Sequence, residues 1–246
     1  MKFYCSCFKI NFAESSHPAD SYPSLLKLFL RDLKTGARPI PENSKDFLLS
    51  PVDGQLREIL KVTLGSEVNV KGCNWDWSKL LLDSATLSSF EGGDCFNLYL
   101  SPKDYHHVHV PYTGVIKSIQ HIPGSLLPVN DWSVKTFPNL FSINERVIIE
   151  MQAESFSYLL IFVGALNVGS ILLDPCPNFK RGFLSLKPKK IVEIAKSKYS
   201  AGERIGSFAL GSSILLVLPV GIISEKLSAP QSVKFGSILS KVNFRN

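Results

Sequence analysis

The stretch GSFALGSSILLVLP, residues 206–219, decides how this chain is read. Its second half is an apolar run that ends at Pro219 and Gly221. Such a run, rich in branched side chains and bounded by turn residues, fits a buried strand. Its first half sets Gly211, Ser212 and Ser213 directly before that strand. Local grounds leave two readings of the serines. Gly and Ser punctuate chains, so the segment is a turn; or Ser212 is a reactive hydroxyl held at the entrance of the strand.

Outward from this run the pattern stays β-like. LREILKVTL, SEVNVKG, CFNLYL, GVIKSIQHI, RVIIEMQ, SYLLIFVGA and VGSILL are short, rich in β-branched residues and separated by Gly, Pro, Asn or Asp. The longest apolar segment, YLLIFVGALNVGSILL (158–173), is interrupted by Asn167 and small residues and falls short of a membrane span. It reads as two buried strands joined at a glycine, which leaves only peripheral membrane contact. SYPSLLKLFLRDLKTG (21–36) predicts an amphipathic helix over 24–34, with Leu25, Leu26, Phe29, Leu30 and Leu33 on one stripe, Ser24 as N-cap and Gly36 as stop. WSKLLLDSATLSSF (77–90) reads as a second helix. The expected fold class is α+β, predominantly β: a mostly antiparallel β core with a few flanking helices, in a single domain over 1–246. Strands around 214–224 and 233–243 are expected to complete that core.

Of 246 residues, 45% are hydrophobic and 20% charged, which fits a packed globular protein. The net charge of +6 favours an anionic partner such as an acidic membrane surface. Zinc-finger spacing, RNP-type aromatics and long basic runs are absent, so no nucleic-acid partner is expected. Five cysteines without a CxxC pair indicate neither a zinc site nor a disulfide framework, and fit a reducing compartment. The N-terminal MKFYCSCFKINFAESS lacks the continuous apolar core of a signal peptide.

Chemistry-bearing residues fall in three places. SPVDGQL carries Asp53 at an Asp-Gly turn signal. SPKDYHHVHVPYTG holds three of the five histidines, His106, His107 and His109. In an extended segment His107 and His109 share a face and His106 points the other way. No Cys, His or Glu stands at metal-ligand spacing, so no metal is expected and acid–base work suits these rings better. Ser212 follows Gly211. The order Asp53, His109, Ser212 is compatible with a triad, in which a base activates the serine and an acid orients the base. A G-x-S-x-G elbow is missing, which argues against an ordinary hydrolase.

Taken together these pieces resemble the phosphatidylserine decarboxylases, a family of pyruvoyl-dependent membrane enzymes. The resemblance runs in order through YPSLLKLFLRDLKTGARPIP, SPVDGQL, VKG (70–72), FEGG (90–93), YLSPKDYHHVHVPYTG, FSINERV (141–147), VGALNVGSI (163–171) and GERIGSFALGSS. It implies that the chain cuts itself between Gly211 and Ser212, leaving a β subunit of 1–211 and an α subunit of 212–246. Asp53, His109 and Ser212 would form the self-cleavage triad, with Ser212 becoming a covalent pyruvoyl group. That group would form a Schiff base with phosphatidylserine, with His106 helping to protonate the product carbon, and with neither PLP nor metal required. The resemblance also implies a homodimer of αβ units, peripheral on the cytoplasmic face of an anionic membrane.

Several positions depart from the family pattern. Ser213 stands for the usual Thr of LGST, His107 for a common Arg, Ala201 for a frequent Lys and Arg204 for a frequent acid. Arg146 in NERV is read as a structural residue in an ion pair, ahead of a phosphate ligand. VGALNVGSI is read as glycines where strands pack closely. Two rivals to the main reading are a pyruvoyl-dependent decarboxylase of a soluble amino acid and a non-cleaving lipid-binding homologue.

Overall fold

The computed structural model describes Cys5 and residues 7–64, 68–70, 73–165, 171–177, 187–191, 194–209 and 212–243. Gly211, the Lys71–Gly72 pair and the 166–170 joint of the long apolar segment lie outside the described residues. The strands are Phe47–Leu49 (β1), Gly54–Lys61 (β2), Val68–Val70 (β3), Cys73–Trp75 (β4), Asp94–Leu100 (β5), His107–His109 (β6), Gly114–Ile122 (β7), Arg146–Gln152 (β8) and Ser157–Val163 (β9). They continue with Ile171–Leu173 (β10), Lys189–Ile191 (β11), Lys198–Tyr199 (β12), Arg204–Phe208 (β13), Ser212–Leu218 (β14), Ile223–Ser224 (β15), Gln231–Val233 (β16) and Ile238–Val242 (β17). The helices are short: Leu25–Phe29 (α1), Trp77–Leu81 (α2), Ser84–Ser89 (α3), Asp131–Thr136 (α4) and Leu140–Ile143 (α5).

A nine-stranded antiparallel sheet runs β11-β7-β8-β9-β14-β5-β2-β16, with β12 also on β7. β14 lies at its centre, between β9 and β5, and every one of its side chains is buried. The alternation of β14 explains its unbroken apolar run. Ile214, Leu216 and Leu218 join one core cluster with Val108, Ile171 and Phe208, from β6, β10 and β13. Leu215 and Val217 join another with Trp77, Leu80, Leu87 and Phe141. Helices therefore cover one face of the sheet. Two three-stranded sheets, β10-β13-β6 and β1-β17-β15, cover the other. Burial of each large apolar side chain stabilises this sandwich by roughly 2 kcal/mol. The expected antiparallel β-rich α+β class is the observed one.

Several element boundaries need correction. The helix expected over 24–34 runs only Leu25–Phe29, although Ser24 does cap it by accepting from the Lys27 amide. Backbone groups of residues 32–34 are drawn instead into a bridge with 14–16: Ser16 N–H donates to Asp32 O and Lys34 N–H to Glu14 O. The buried stripe is Leu28 and Phe29, while Leu25 and Leu26 are exposed. Gly36, with φ +79°, sits in a later turn rather than at a helix end. The single helix expected over 77–90 is two. Leu82 takes a left-handed conformation and Asp83 starts α3 by accepting from the Ala85 and Thr86 amides. The 214–224 strand breaks after Leu218, and the 233–243 strand is β16 and β17 separated by a turn.

Candidate functional site

The start of β14 places Ser212 opposite Leu100 at the end of β5, and β5 pairs in turn with β2, which starts at Gly54. Asp53 and Ser212 therefore lie at the same end of the sheet, about two strand spacings or roughly 10 Å apart. Gly54 is needed there, because a Cβ would lie 2.3 Å from the Tyr99 carbonyl oxygen. Ser212 shares its face of β14 with Ile214 and Leu216, which pack toward β6 and β13, whereas Ser213 shares the helix-covered face with Leu215. Of the two serines, Ser212 is thus the one on the side of the histidine strand.

β6 is laced to this end from two directions. The His109 amide donates to Pro51 O at 2.8 Å, and β13 pairs along β6 with Arg204 opposite His109 and Ser207 opposite His107. β13 then leads to the Gly211–Ser212 junction. Val108 points into the core. His107 and His109 share the opposite face, both against the Tyr105 ring (centroids 5.0 and 5.7 Å), while His106 packs edge-on to Phe29 at 4.6 Å.

Hydrogen bonds settle the tautomers of two rings. His109 Nδ1 lies 2.8 Å from Gly202 O, a carbonyl that only accepts, so Nδ1 carries the proton. His109 Nε2 is then the basic nitrogen, and the Tyr105 hydroxyl at 3.2 Å donates to it. Burial pushes the His109 pKa down to about 4; the Gly202 carbonyl opposes this, His107 and Arg204 add to it, and the Asp53 charge opposes it. His106 Nδ1 donates in the same way to Asp104 O at 2.8 Å. Burial holds His106 lower still, at about 3. Both rings are neutral near pH 7. Nε2 of His106 and Oγ of Ser212 are shielded from solvent and have no hydrogen-bond partner among the described residues.

Asp53 is almost fully buried and strongly partnered. Its carboxylate accepts from Arg38 Nε (3.0 Å) and Nη2 (2.6 Å), Lys234 Nζ (3.2 Å) and the Phe235 amide (2.9 Å). Burial alone would raise its pKa, but these hydrogen bonds and positive charges outweigh it and hold the group below the usual range. The carboxylate makes no hydrogen bond to His109. It reaches that ring through Phe235, whose amide it accepts and whose ring lies flat on the imidazole, 3.8 Å away and 3° from parallel. The structure thus brings Asp53, His109 and Ser212 to one end of the sheet without hydrogen bonds that join the three side chains into a triad.

A cavity of about 220 Å³ opens beside Asp53 and Tyr105. Lys9, Arg31, Arg38, Lys103 and Lys234 line it, against Glu14, Asp53 and Asp104. Arg31 is buried and held by the carbonyls of Leu28, Lys103 and Asp104. Arg146 lies elsewhere: its guanidinium donates to the carbonyls of Leu80, Lys79, Ser142 and Asn144, tying the helices to the sheet. Its role is structural, but through carbonyls instead of an ion pair. Among the described residues, no group of His, Cys, Asp and Glu is placed to hold a metal ion.

Residues that sequence reasoning did not single out are Arg38, Tyr105, Gly202, Lys234 and Phe235. Arg38 and Tyr105 stand within the GARPIP and KDYHHVH stretches. Gly202 opens the GERIGSFALGSS stretch, and nothing local marks Lys234 and Phe235, which reach the site from the loop after β16.

The family model for phosphatidylserine decarboxylase matches residues 25–241. A phosphatidylserine decarboxylase proenzyme of Marinobacter nauticus is 30% identical over all of this chain and 87% of its own length. Proteins of the same name are 34% identical in Alcanivorax borkumensis, over 87% of this chain and 74% of that protein, and 34% identical in Brevibacillus brevis, over 87% and 77%. With this match spanning the sheet and the histidine strand alike, the chain belongs to the phosphatidylserine decarboxylase family.

Proposed function

We propose that this chain converts phosphatidylserine to phosphatidylethanolamine and CO₂ with a pyruvoyl group made from its own Ser212. The observation that carries the reading, in a chain of this family, is the buried Ser212 hydroxyl at the first position of the central strand. It is without a partner among the described residues and on the histidine-strand side, whereas the equally unpartnered Ser213 lies on the helix-covered side. A buried hydroxyl left unpaired costs about 1–3 kcal/mol, and such groups persist where chemistry uses them.

Self-cleavage begins as the Ser212 hydroxyl attacks the Gly211 carbonyl carbon. The hydroxyl proton passes to a base, the amide nitrogen leaves with a proton, and an ester joins the two residues. Loss of the Ser212 α-proton expels Gly211 as a carboxylate. The dehydroalanine that remains takes up water and releases ammonia, which leaves a pyruvoyl group at the new N-terminus. His109 is the base: its tautomer exposes a lone pair on Nε2, which exchanges the Tyr105 hydroxyl for that of Ser212. Asp53 favours the imidazolium through its charge.

The pyruvoyl carbonyl supplies the electron sink for the bond that breaks as CO₂ leaves. His106 Nε2, with its unshared lone pair in a dry site, first accepts a proton shed by the substrate ammonium group and then returns it to the substrate carbon. The basic lining of the cavity beside Asp53 suits the anionic head group. The exposed Leu25 and Leu26, with Lys27 between them and the buried part of α1, support peripheral contact with an anionic membrane. The products of cleavage, 1–211 and 212–246, stay together, because β14 from the smaller piece is the middle of the large sheet.

The test is CO₂ release from carboxyl-labelled phosphatidylserine in detergent or vesicles. The wild type is expected to release label and Ser212→Ala to release none. Label released from free serine instead would favour a soluble amino-acid substrate.

A further inference from the structure

His107, one of the positions that depart from the family pattern, forms a buried pair with Ser207, and neither residue is among Asp53, His109, Ser212 and His106, to which the proposed chemistry is assigned. Ser207 Oγ and His107 Nδ1 are 2.5 Å apart, both buried, and sit directly opposite each other on β13 and β6. His107 Nε2 faces Leu30 O at 3.3 Å and Asp32 Oδ1 at 3.6 Å, two acceptors, so Nε2 carries the proton. Nδ1 must then accept, and the Ser207 hydroxyl donates to it. One imidazole thereby binds three elements: β6, β13 and the residue that ends α1.

This pair sits just upstream of the scissile peptide, which comes four residues after Ser207. β13 slips register between Arg204 and Gly206, so its hold on β6 before that point does not set its geometry beyond. Beyond the slip, β13 is held on β6 by Gly206 opposite Val108, the Ser207–His107 pair, and the Phe208 amide on His106 O. Arg204 belongs to the same cluster: it pairs with Asp174 at 2.7 Å and approaches Asp32 at 3.7 Å. Two departures from the family pattern, His107 and Arg204, therefore meet on Asp32.

We propose that His107 and Ser207 are positioning residues for self-cleavage. Their hydrogen bond seats β13, the strand that leads to the Gly211–Ser212 junction, on the histidine strand, and the same ring ties that seating to the docked 25–32 segment. This rests on self-cleavage at Gly211–Ser212.

The experiment follows full-length chain decaying into two fragments after pulse-labelled cell-free synthesis, with thermal unfolding of each variant in the Ser212→Ala background as the check on folding. Ser207→Thr keeps the hydroxyl and Ser207→Val keeps the shape without it. Thr is expected to process near the wild-type rate and Val about tenfold more slowly, the loss of one buried hydrogen bond. A packing role alone would treat Thr and Val alike. His107→Gln keeps a donor for Leu30 but carries its polar atoms at the chain end, near the Nε2 position, with no acceptor where Nδ1 meets Ser207. It is expected to be slowed to a similar degree, with no further slowing on adding Ser207→Val. If Val and Gln chains both process at the wild-type rate, the inference is overturned while self-cleavage stands. A wild-type chain that never splits overturns the functional reading instead.

Discussion

Asp53→Asn is the perturbation with the most to say, because it removes a charge and little else. In the wild type the Arg38 guanidinium is almost buried and donates twice to Asp53 and once to Glu14, whose side chain is 38% exposed. An amide at position 53 can still accept, but it leaves Arg38 with half-exposed Glu14 as its one anionic partner among the described residues, beside the Ala37 carbonyl. Breaking one side of a buried ion pair typically costs about 3–5 kcal/mol. The remaining Glu14 contact places the expected loss at the low end, about 3 kcal/mol. The assay is urea unfolding in the Ser212→Ala background, where every molecule is an uncut chain. With a slope of about 3 kcal/mol per molar, the midpoint drops by about 1 M. Arg38→Met in the same background completes a double-mutant cycle. A coupling of about 3 kcal/mol is predicted. A coupling near zero, or an unshifted midpoint for Asp53→Asn, would refute the view that Asp53 is anchored by Arg38 and acts on His109 from that anchored position.

Three further outcomes are expected. His109→Gln leaves the chain uncut, since the amide offers no basic nitrogen at Nε2; fragments on a gel at the wild-type rate would show that another group is the base. Stability of the uncut Ser212→Ala chain falls in acid. His106 and His109 are held at about 3 and 4 in the folded chain against an ordinary 6.5, so the unfolded chain binds protons first. Their contribution is complete above pH 7 and lost as pH falls from 6.5 to about 4 for His109 and about 3 for His106, at up to roughly 1.4 kcal/mol per pH unit for each ring; equal urea midpoints at pH 7.5 and 5.5 would contradict this. Gly206→Ala places a Cβ 2.6 Å from Leu172 O and 3.0 Å from the Phe162 ring. Overpacking of this kind costs about 1–3 kcal/mol, and a melting temperature equal to that of the parent would show that β13 can shift to accommodate it.

How much of the fold is legible in the sequence depends on the range of the forces involved. Strands β7 and β8 begin and end where GVIKSIQHI and RVIIEMQ do, because side-chain alternation and turn residues are local signals. The helical stripe over 24–34 overstates α1 because its last residues pair with 14–16, a competition invisible in the leucines themselves. The 77–90 window suggests one helix because Asp83 looks unremarkable there until its side chain is seen capping a new one. At the site, the histidine cluster and the serine before the buried strand stand out as residue types. Their partners do not. Phe235 lies on His109, and Gly202 fixes its tautomer, only because β13 and the loop after β16 fold back onto β6. No spacing rule connects residues so far apart in sequence.

The central claim is most directly tested by the intact mass of the purified wild-type chain beside Ser212→Ala. The predicted wild-type result is two fragments that meet at the Gly211–Ser212 junction, the smaller one carrying a pyruvoyl mass and a blocked N-terminus, with Ser212→Ala a single full-length species. A wild-type chain that stays whole after incubation with phosphatidylserine vesicles, or a Ser212→Ala chain that still splits there, would contradict it.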